Sequence, residues 1–328
     1  MSTIFNLCVS AVKVFISSAP QKKIQPILFV NLQKLIQMPV IKSTDLLICE
    51  DGSIYHLALQ PHQLADTVIM VGDPDRVALI SNHFDTVEYR IANREFKTHT
   101  GMLNGKRITA LSSGIGADNV DIVMNELDAL ANIDLLTNRI KPEHKTLNVI
   151  RIGTSGSIQA DVPVGSFALS SYGLGLDNLL HFYDTNGSDT LDLQMSGAFM
   201  KHTGWNENLS KPYFVKGSEE LIRKFEKGTI KGITATAPGF YGPQGRVLRL
   251  RLADPELNEK IRSFRYKDER VINFEMETSA LYGLGSLLNH RVITVCALIA
   301  NRVTNEFVRD HKTLVDKLIN LVLERITN

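Results

Sequence analysis

Short apolar runs alternate with segments of helical character from about residue 66 to the end of the chain. The apolar runs predict buried β-strands at residues 68–71, 148–152, 233–237, 271–274 and 292–300. Residues 96–111 predict a hairpin, because Asn104 and Gly105 are the residues that a tight turn prefers. Helices are predicted at residues 74–84, 118–131, 275–289 and 313–325. This alternation is typical of an α/β fold.

The first 45 residues differ from the rest of the chain. They contain five lysines but no Asp or Glu before Asp45. A targeting segment is also acid-poor, but Lys13 interrupts the apolar stretch here, and the arginine that is usual in mitochondrial transit peptides is absent. No repeat, linker or domain boundary is evident after residue 45. We therefore expect a dispensable extension at residues 1–45, with Met38 as the natural first residue, and one domain at residues 46–328.

Composition limits the size of the core, the kinds of partner and the cellular compartment that we expect. With 328 residues, 44% of them hydrophobic, and a formal net charge of +1, the chain can bury a large core. The same balance gives no electrostatic reason to expect nucleic acid or membrane as a partner, and no apolar run reaches the roughly 18 residues of a transmembrane helix. Three scattered cysteines, Cys8, Cys49 and Cys296, fit free thiols in the cytoplasm better than disulfides or a zinc site.

Four places where strands end carry polar residues that a plain core does not need, and ligands gather at such places in α/β folds. The first is Gly72-Asp73-Pro74-Asp75-Arg76. Gly72 lets a ligand approach the backbone, the helix start offers N–H groups to an anion, and Arg76 adds a charge-assisted contact. The same residues also fit an ordinary strand–turn–helix junction.

The second place is Arg151-Ile152-Gly153-Thr154-Ser155-Gly156. An arginine in an apolar strand is costly to bury without a partner. A phosphate-binding loop accounts for the arginine, the hydroxyls of Thr154 and Ser155, and both glycines together. A structural ion pair is the alternative, and it accounts for Arg151 alone.

The third place is Phe240-Tyr241-Gly242-Pro243-Gln244-Gly245-Arg246. Gln244 and Arg246 are two positions apart, so that in an extended chain both present hydrogen-bonding groups to the edge of a planar base. Phe240 offers a ring on which the base stacks. A Gly/Pro turn with solvated polar residues is the alternative.

The fourth place is Asn273-Phe274-Glu275-Met276-Glu277-Thr278, where a strand leads into a helix. Carboxylates in the first turn accept hydrogen bonds from sugar hydroxyls, or they simply complement the helix dipole. Upstream, His56 and Arg94 are lone polar residues, and His56 taken alone also fits a structural role.

In this order, the segments resemble the uridine phosphorylase branch of the nucleoside phosphorylase-I family. The resemblance runs from about Tyr55 to the C-terminus, and the joint order and spacing of the motifs makes it specific. The motifs are Tyr55-His56-Leu57, Val71-Gly72-Asp73-Pro74-Asp75-Arg76-Val77, Arg94-Glu95-Phe96, Arg151-Ile152-Gly153-Thr154-Ser155-Gly156, Phe240-Tyr241-Gly242-Pro243-Gln244-Gly245-Arg246, Glu275-Met276-Glu277 and Asn301-Arg302.

The resemblance implies three groups of site residues. The residues that it assigns to phosphate are Gly72, Arg76, Arg151 and Thr154, with Arg94 from a neighbouring subunit. The residues that it assigns to ribose are Met276 and Glu277, with His56 of the neighbour at the 5′-hydroxyl. The residues that it assigns to uracil are Phe240, Gln244 and Arg246. Of these, Arg151, Glu277 and Arg246 are expected to carry catalysis.

The resemblance also implies a fold and an assembly. The fold is the three-layer phosphorylase/hydrolase-like α/β fold, with a central mixed β-sheet, partly barrel-like, between helices. Shared sites make a homodimer the minimal unit, commonly assembled into a hexamer as a trimer of dimers. Some members bind a monovalent cation through a Glu, an Ile backbone and a Ser. Glu95 and Ile115 match, but Asn119 replaces the Ser, so we expect no cofactor and leave the cation as an open alternative.

The expected reaction is phosphorolysis of a pyrimidine nucleoside, with phosphate as a co-substrate and no metal or covalent nucleophile. A purine nucleoside phosphorylase is the nearest rival, but its branch uses an Asp to protonate N7, and this chain has Ala300-Asn301-Arg302 there. A hydrolytic nucleosidase has no need of several phosphate-binding arginines. A catalytically silent nucleoside-binding protein has little use for the retained arginines and Glu277.

Overall fold

A computed structural model of the protein describes residues 40–328, and residues 42–328 form one compact unit. The predicted extension therefore lies almost entirely outside the described residues, and Cys8 lies outside them too. The two cysteines within the described residues, Cys49 and Cys296, are free thiols. The prediction that residues 1–45 are dispensable stays a prediction.

The β-strands follow the apolar runs of the sequence. Their bounds in chain order are β1 Thr67–Val71, β2 Thr86–Asn93, β3 Phe96–Leu103, β4 Lys106–Ser112, β5 Ile133–Asp134, β6 Arg139–Ile140, β7 Asn148–Ser157, β8 Phe167–Gly175, β9 Tyr213–Lys216, β10 Ile230–Thr236, β11 Arg265–Tyr266, β12 Glu269–Glu275, β13 Arg291–Asn301 and β14 Glu306–Phe307. The five predicted strands and the hairpin at Asn104-Gly105 are confirmed as β1, β7, β10, β12, β13 and β3–β4. Both turn residues have positive φ angles, as such a turn requires.

Seven α-helices lie within residues 40–328. Their bounds are α1 Pro74–Ser81, α2 Ala117–Asn132, α3 Leu193–Thr203, α4 Glu219–Phe225, α5 Leu257–Ser263, α6 Thr278–Leu287 and α7 His311–Thr327. Short 3-10 helices occur at Pro61–Gln63, Leu179–Phe182 and Gly242–Gln244. None of the helices in this part of the chain is long and apolar enough to cross a membrane.

Twelve of the strands form one mixed sheet that closes partly on itself. Its order is β11-β12-β10-β8-β13-β7-β1-β4-β3-β2, with β9 paired to β8 and β14 paired to β13. Closure comes from β12, which also pairs antiparallel with the far end of β7, through Asn273 opposite Ser157 and Phe274 opposite Gly156. Strands β12, β10, β8, β13 and β7 therefore form a ring. The partly barrel-like sheet between helices confirms the predicted fold class.

Helix α6 lies in the interior of the molecule, with every residue from Thr278 to Gly285 buried. A helix that is apolar on all sides is buried on all sides. The sequence prediction started this helix at residue 275, but Glu275 is the last residue of β12, and the helix begins at Thr278 with Glu277 at its N-cap position. The start of α6 is therefore buried, and so is Glu277.

A second correction concerns β7, which continues through the predicted phosphate loop to Ser157. Residues 153–156 pair with β13 along their whole length, with Gly153 opposite Cys296 and Thr154 opposite Ala297. Because β13 satisfies their backbone groups, the two glycines do not end the strand. The motif is a strand edge that faces a cavity.

Candidate active site

A cavity lies where β1 and β4 end side by side. Val71 and Ser112, the last residues of these parallel strands, are direct neighbours in the register, and Val71 also pairs with Ile152 of β7. The cavity has a volume of about 670 Å³, which lies within the range of small-molecule sites. Its lining residues are Gly72, Asp73, Pro74, Arg76, Glu95, Gly114, Ile115, Asn119, Arg151, Gly153, Thr154 and Glu277.

The turn after β1 forms one wall of the cavity. A Cβ atom at Gly72 would lie 3.2 Å from the carbonyl oxygen of Gly114, so glycine allows the two loops to approach closely. The carboxylate of Asp73 accepts a hydrogen bond of 2.9 Å from the N–H of Asp75. Asp73 therefore caps α1 and occupies one of the N–H groups that we expected to be free for an anion. The anion-binding groups left on this wall are the backbone at Gly72 and the Arg76 side chain.

Arg76 is the half-buried cation of this wall. Its Nε lies 3.9 Å from the carboxylate of Asp73, too far for a hydrogen bond. Burial lowers the pKa of Arg76, while the charge of Asp73 raises it and that of Arg151 lowers it again. Arg76 and Arg151 therefore repel each other across the cavity, and an anion between them relieves this repulsion.

Arg151 lies on the floor of the cavity with only 4% of its surface exposed. Its Nη1 is 3.1 Å from the carboxylate of Glu275, and its Nη2 donates to the carboxylate of Glu277. Burial lowers the pKa of Arg151, but the charges of Glu277 and Glu275 outweigh burial and raise it. Arg151 therefore combines the two roles that the sequence left as alternatives. It forms an ion pair with two carboxylates, and it also lines the cavity.

Glu277 connects Arg151 to the loop before α2. One carboxylate oxygen accepts from Arg151, and the other accepts a hydrogen bond of 2.8 Å from the N–H of Gly116. Burial raises the pKa of Glu277, Arg151 opposes this shift, and the charge of Glu275 adds to it. Met276, the neighbour of Glu277, is half-buried. The cavity therefore contains a buried ion pair. The Glu277 carboxylate of this pair can accept hydrogen bonds from a polar ligand.

Gly153 leaves room for the Arg151 guanidinium. A Cβ atom at residue 153 would lie 2.5 Å from Nη1 of Arg151 and 2.7 Å from Sγ of Cys296, closer than any side chain allows. Burial raises the pKa of the Cys296 thiol to about 11, so the thiol is protonated beneath the arginine. Thr154 follows on β7 and lines the cavity.

A second cluster lies near the far end of β7 and contains the predicted base-binding residues. Gln244 is buried, and its Oε1 accepts a hydrogen bond of 2.6 Å from Nη1 of Arg246. The Arg246 guanidinium carbon lies 3.7 Å from the centre of the Phe240 ring. Our expectation of an extended chain was wrong here. Residues 242–244 form a 3-10 turn, and Gly245 has a φ of 69°, so Gln244 and Arg246 meet across the turn.

Arg302 joins this second cluster. Its Nη1 donates to the carbonyl oxygen of Gln244, and its Cδ lies 3.8 Å from the position of a Cβ atom at Gly156. Burial lowers the pKa of Arg302, and burial together with the charge of Arg302 lowers that of Arg246. Arg302 therefore passes Gly156 of β7, and Gln244 links it to Arg246. Gly156 lies three positions beyond Gly153 on the strand, a distance of about 10 Å.

His56 and Arg94 lie at neither cluster. His56 Nδ1 is 2.6 Å from the carboxylate of Glu126, which also accepts from the N–H of Leu57 at 2.8 Å. Arg94 is exposed, and its Nη2 donates to the hydroxyl of Tyr55 at 3.2 Å. Neither residue is among those that line the cavity of their own chain.

One group of residues in the described part of the chain has the spacing of metal ligands, namely Asp128, His144 and His290, whose ligand atoms lie within 4.8 Å of one another. However, Nδ1 of His290 accepts from the N–H of Leu147 at 3.1 Å, which leaves the ring proton on Nε2. Nε2 of His144 lies 3.0 Å from the carbonyl oxygen of Leu288 and therefore also carries a proton. The protonated Nε2 of His290 lies 3.2 Å from the carboxylate of Asp128. Glu95, Ile115 and Asn119, the three residues at the positions of the alternative cation site, all line the main cavity.

A family model described as the phosphorylase superfamily matches residues 66–327. The chain is also 31% identical over 265 residues to a uridine phosphorylase of Thermococcus kodakarensis, an alignment that covers 79% of this chain and 81% of the relative. The chain belongs to the phosphorylase superfamily. A uridine phosphorylase of Haemophilus influenzae is 27% identical over 282 residues, with 83% of this chain and 96% of that protein covered.

Among solved structures of the phosphorylase superfamily, a nucleoside phosphorylase of Trypanosoma brucei that shows uridine phosphorylase activity has a TM-score of 0.78 to this chain. The two are 29% identical, and the match covers 86% of this chain and 99% of the other. The similarity therefore extends over almost the whole of the neighbour.

Glu275 and Arg302 are not among the individual site residues that the resemblance implies. The sequence places Glu275 in a predicted helix start, where its carboxylate either accepts from sugar hydroxyls or complements the helix dipole. Arg302 was recognised only as part of a motif. The apolar strand that ends at Glu275 is the feature of the sequence that points to a role for this residue. A carboxylate at the end of such a strand needs buried hydrogen-bond donors.

Proposed function

We propose that this protein is a uridine phosphorylase, which transfers the ribosyl group of uridine to inorganic phosphate and releases uracil. The observation that carries the proposal is the presence of two guanidinium clusters along one strand. Arg76 and Arg151 line the cavity together with Gly153. Arg302 passes Gly156, which lies three positions or about 10 Å further along β7, and there Gln244 links Arg302 to Arg246. Phosphate and a base with carbonyl oxygens both need such donors, and a ribose spans the distance between them. The uridine phosphorylases among the relatives support the same activity.

On the phosphate side, the backbone at Gly72, the guanidinium of Arg76 and the hydroxyl of Thr154 are proposed to bind the phosphate oxygens above Arg151. All four residues line the cavity. Arg94 is proposed to complete the site of a neighbouring subunit, because in its own chain it contacts Tyr55 at the surface. Guanidinium groups suit this role because they present paired donors to phosphate.

On the ribose side, Glu277 is proposed to accept hydrogen bonds from the sugar hydroxyls, with Met276 against the ring. Each oxygen of the Glu277 carboxylate makes one hydrogen bond within the protein, to Gly116 or Arg151, and retains a lone pair for a hydroxyl. His56 of the neighbouring subunit is proposed to approach the 5′-hydroxyl.

On the base side, Gln244 and Arg246 are proposed to hydrogen-bond the uracil edge beside Phe240. A phosphate oxygen forms its bond to C1′ as the bond from C1′ to N1 breaks, and the electron pair of that bond leaves on uracil. Positive charge then develops on ribose between phosphate and Glu277, while negative charge develops on the uracil oxygens near Arg246. Donors that are already oriented stabilise this charge without reorganisation, and the bound phosphate gains from proximity.

A specific contact argues against the purine rival. Asn301 is buried, and its Nδ2 donates to the carbonyl oxygens of Gln159 and Val162 at 2.9 and 3.0 Å. Its Oδ1 accepts from the N–H of Val303. The side chain at the position of the purine-branch acid is therefore fully occupied with backbone groups, and no acid is available there to protonate N7.

The assembly and setting follow from the same reasoning. Sites that share Arg94 and His56 require at least a homodimer, and the family pattern is a hexamer built as a trimer of dimers. We also propose a cytoplasmic location, a role in nucleoside salvage or catabolism, and no need for a cofactor, nucleic acid or membrane.

The test is to incubate the purified protein with uridine, thymidine or inosine, each with and without phosphate, and to quantify free base and ribose 1-phosphate. We expect uracil release from uridine only when phosphate is present, with ribose 1-phosphate in equal amount. Base release without phosphate would indicate a nucleosidase, and a preference for inosine would indicate the purine branch. No release from any nucleoside would indicate a silent binding protein.

A further inference from the structure

The carboxylate of Glu275 is buried behind the cavity rather than exposed to it. Its side chain is 2% exposed, and Glu275 is not among the cavity-lining residues, although its neighbour Glu277 is. It stands at the end of β12, between the cavity floor and the start of α6. A buried carboxylate must be compensated by donors, so these donors indicate its purpose.

Four donors converge on the Glu275 carboxylate. Oε1 accepts from the hydroxyl of Thr236 at 2.7 Å, and Oε2 accepts from the N–H of Glu277 at 2.9 Å. The N–H of Thr278 lies 3.1 and 3.0 Å from the two oxygens, and Nη1 of Arg151 lies 3.1 Å from Oε2. A carboxylate has about four lone-pair sites. All of them are occupied by protein groups, which leaves none for a ligand.

These contacts connect the elements that carry the site. Thr236 ends β10 and also accepts a hydrogen bond of 2.9 Å from the N–H of Ser279 in α6. Arg151 belongs to β7, while the N–H groups of Glu277 and Thr278 belong to the start of α6. Glu275 therefore sets the position of the arginine and of the Glu277 backbone at the same time.

We propose that Glu275 is a positioning residue that fixes Arg151 and Glu277 relative to each other, so that the phosphate and ribose subsites stay aligned. This inference rests on the proposed function. Glu275 touches neither substrate, and its effect passes through the two residues that line the cavity. Loss of its charge leaves Arg151 paired with Glu277 alone, which holds both groups away from their ligands.

The charge of Glu275 also acts on Glu277. The charged and titratable groups described around Glu277 are Arg151 on β7, Glu275 on β12 and the Cys296 thiol on β13. Burial raises the pKa of Glu277, and the charge of Glu275 adds to this rise. Removal of that charge lowers the pKa of Glu277, so the acidic limb of the pH profile moves to lower pH.

The experiment compares Glu275→Gln with Glu275→Asp and with a control on the same strand, Glu269→Gln. Glu269 accepts from the hydroxyl of Ser171 at 2.6 Å and does not line the cavity. A Gln at residue 275 keeps the size of the side chain but turns an NH₂ group against N–H donors in either orientation. Each variant is assayed for kcat, for KM with phosphate and with uridine varied separately, and for the pH dependence of kcat/KM. The rise in melting temperature on addition of inorganic phosphate is measured as well.

We expect Glu275→Gln to lower kcat/KM for phosphate roughly 10- to 100-fold, as for the loss of one hydrogen bond to a charged group. We also expect a smaller phosphate-dependent rise in melting temperature and an acidic limb at lower pH. Glu275→Asp should recover part of each loss, and Glu269→Gln should match the wild type. If Glu275→Gln does not fold, Thr236→Val removes one donor to the same carboxylate and should give the same pattern more weakly.

Unchanged phosphate parameters and an unchanged pH profile in Glu275→Gln would overturn the inference, as would equal losses in Glu275→Gln and Glu275→Asp. If Thr236→Val is the variant used, wild-type parameters would overturn it too. An inactive wild-type protein would instead contradict the proposed function. In that event the phosphate-dependent melting temperature still decides the role of Glu275, because it needs no turnover.

Discussion

Replacement of Arg76 by Ala gives the sharpest test of phosphate binding. Arg76 lines the cavity with its side chain 18% exposed, and its acidic neighbour is Asp73 at 3.9 Å. A pair of this kind contributes about 0–1 kcal/mol to folding. The Ala variant should therefore keep its melting temperature within about 4 °C of the wild type. A large rise in KM for phosphate is then caused by weaker phosphate binding and not by a loss of stability.

The size of the binding effect follows from the loss of one charged donor. A hydrogen bond to a charged group is worth about 1.5–3 kcal/mol, and every 1.4 kcal/mol is tenfold in an equilibrium constant. Arg76→Ala should therefore raise KM for phosphate about 10- to 150-fold, with a much smaller change in KM for uridine. The assay is steady-state phosphorolysis with each substrate varied at saturating concentration of the other.

Arg291→Ala is the matched control, because Arg291 pairs with Glu220 at 2.9 Å on the surface, at the first residue of β13. It should behave as the wild type in both KM values. An equal rise in both KM values for Arg76→Ala, or no rise at all, would refute the reasoning. Arg151→Ala is a poorer test, because it removes the cation that two buried carboxylates share and should cost about 3–5 kcal/mol of stability.

Three further predictions concern the base, the assembly and the N-terminus. Arg246→Ala should lower kcat about 10²–10³-fold, because its charge meets negative charge that develops as uracil leaves; a change confined to KM for uridine, measured by steady-state kinetics, would argue against this role. Mixed oligomers of Arg94→Ala and Glu277→Ala subunits should regain activity after dissociation and reassembly, and failure in demonstrated mixed oligomers would indicate that each chain forms a complete site. Deletion up to Met38, in a region outside the described residues, should leave activity and assembly unchanged by activity assay and size-exclusion chromatography, and the loss of either would show that the segment is needed.

Much of the secondary structure follows from the sequence, because the burial of a strand or helix appears locally as a run or period of apolar residues. The strands β1, β10, β12 and β13 were predicted within a few residues, and so was the hairpin at Asn104-Gly105. The family resemblance added the fold, and the motif residues Gly72, Arg76, Arg151, Thr154 and Glu277 do lie around one cavity.

Tertiary structure decided the features that depend on distant partners. Arg151 and Glu277 are 126 positions apart, and no local pattern shows that they pair. The continuation of β7 to Ser157 depends on β13 and on the closing strand β12, whose pairing satisfies the backbone of residues that a local reading assigns to a loop. Whether Asp73 faces an anion or caps its own helix depends on a side-chain rotamer. Apolar periodicity records which residues are buried, whereas the partner of a buried charge is set by strand register and sheet closure.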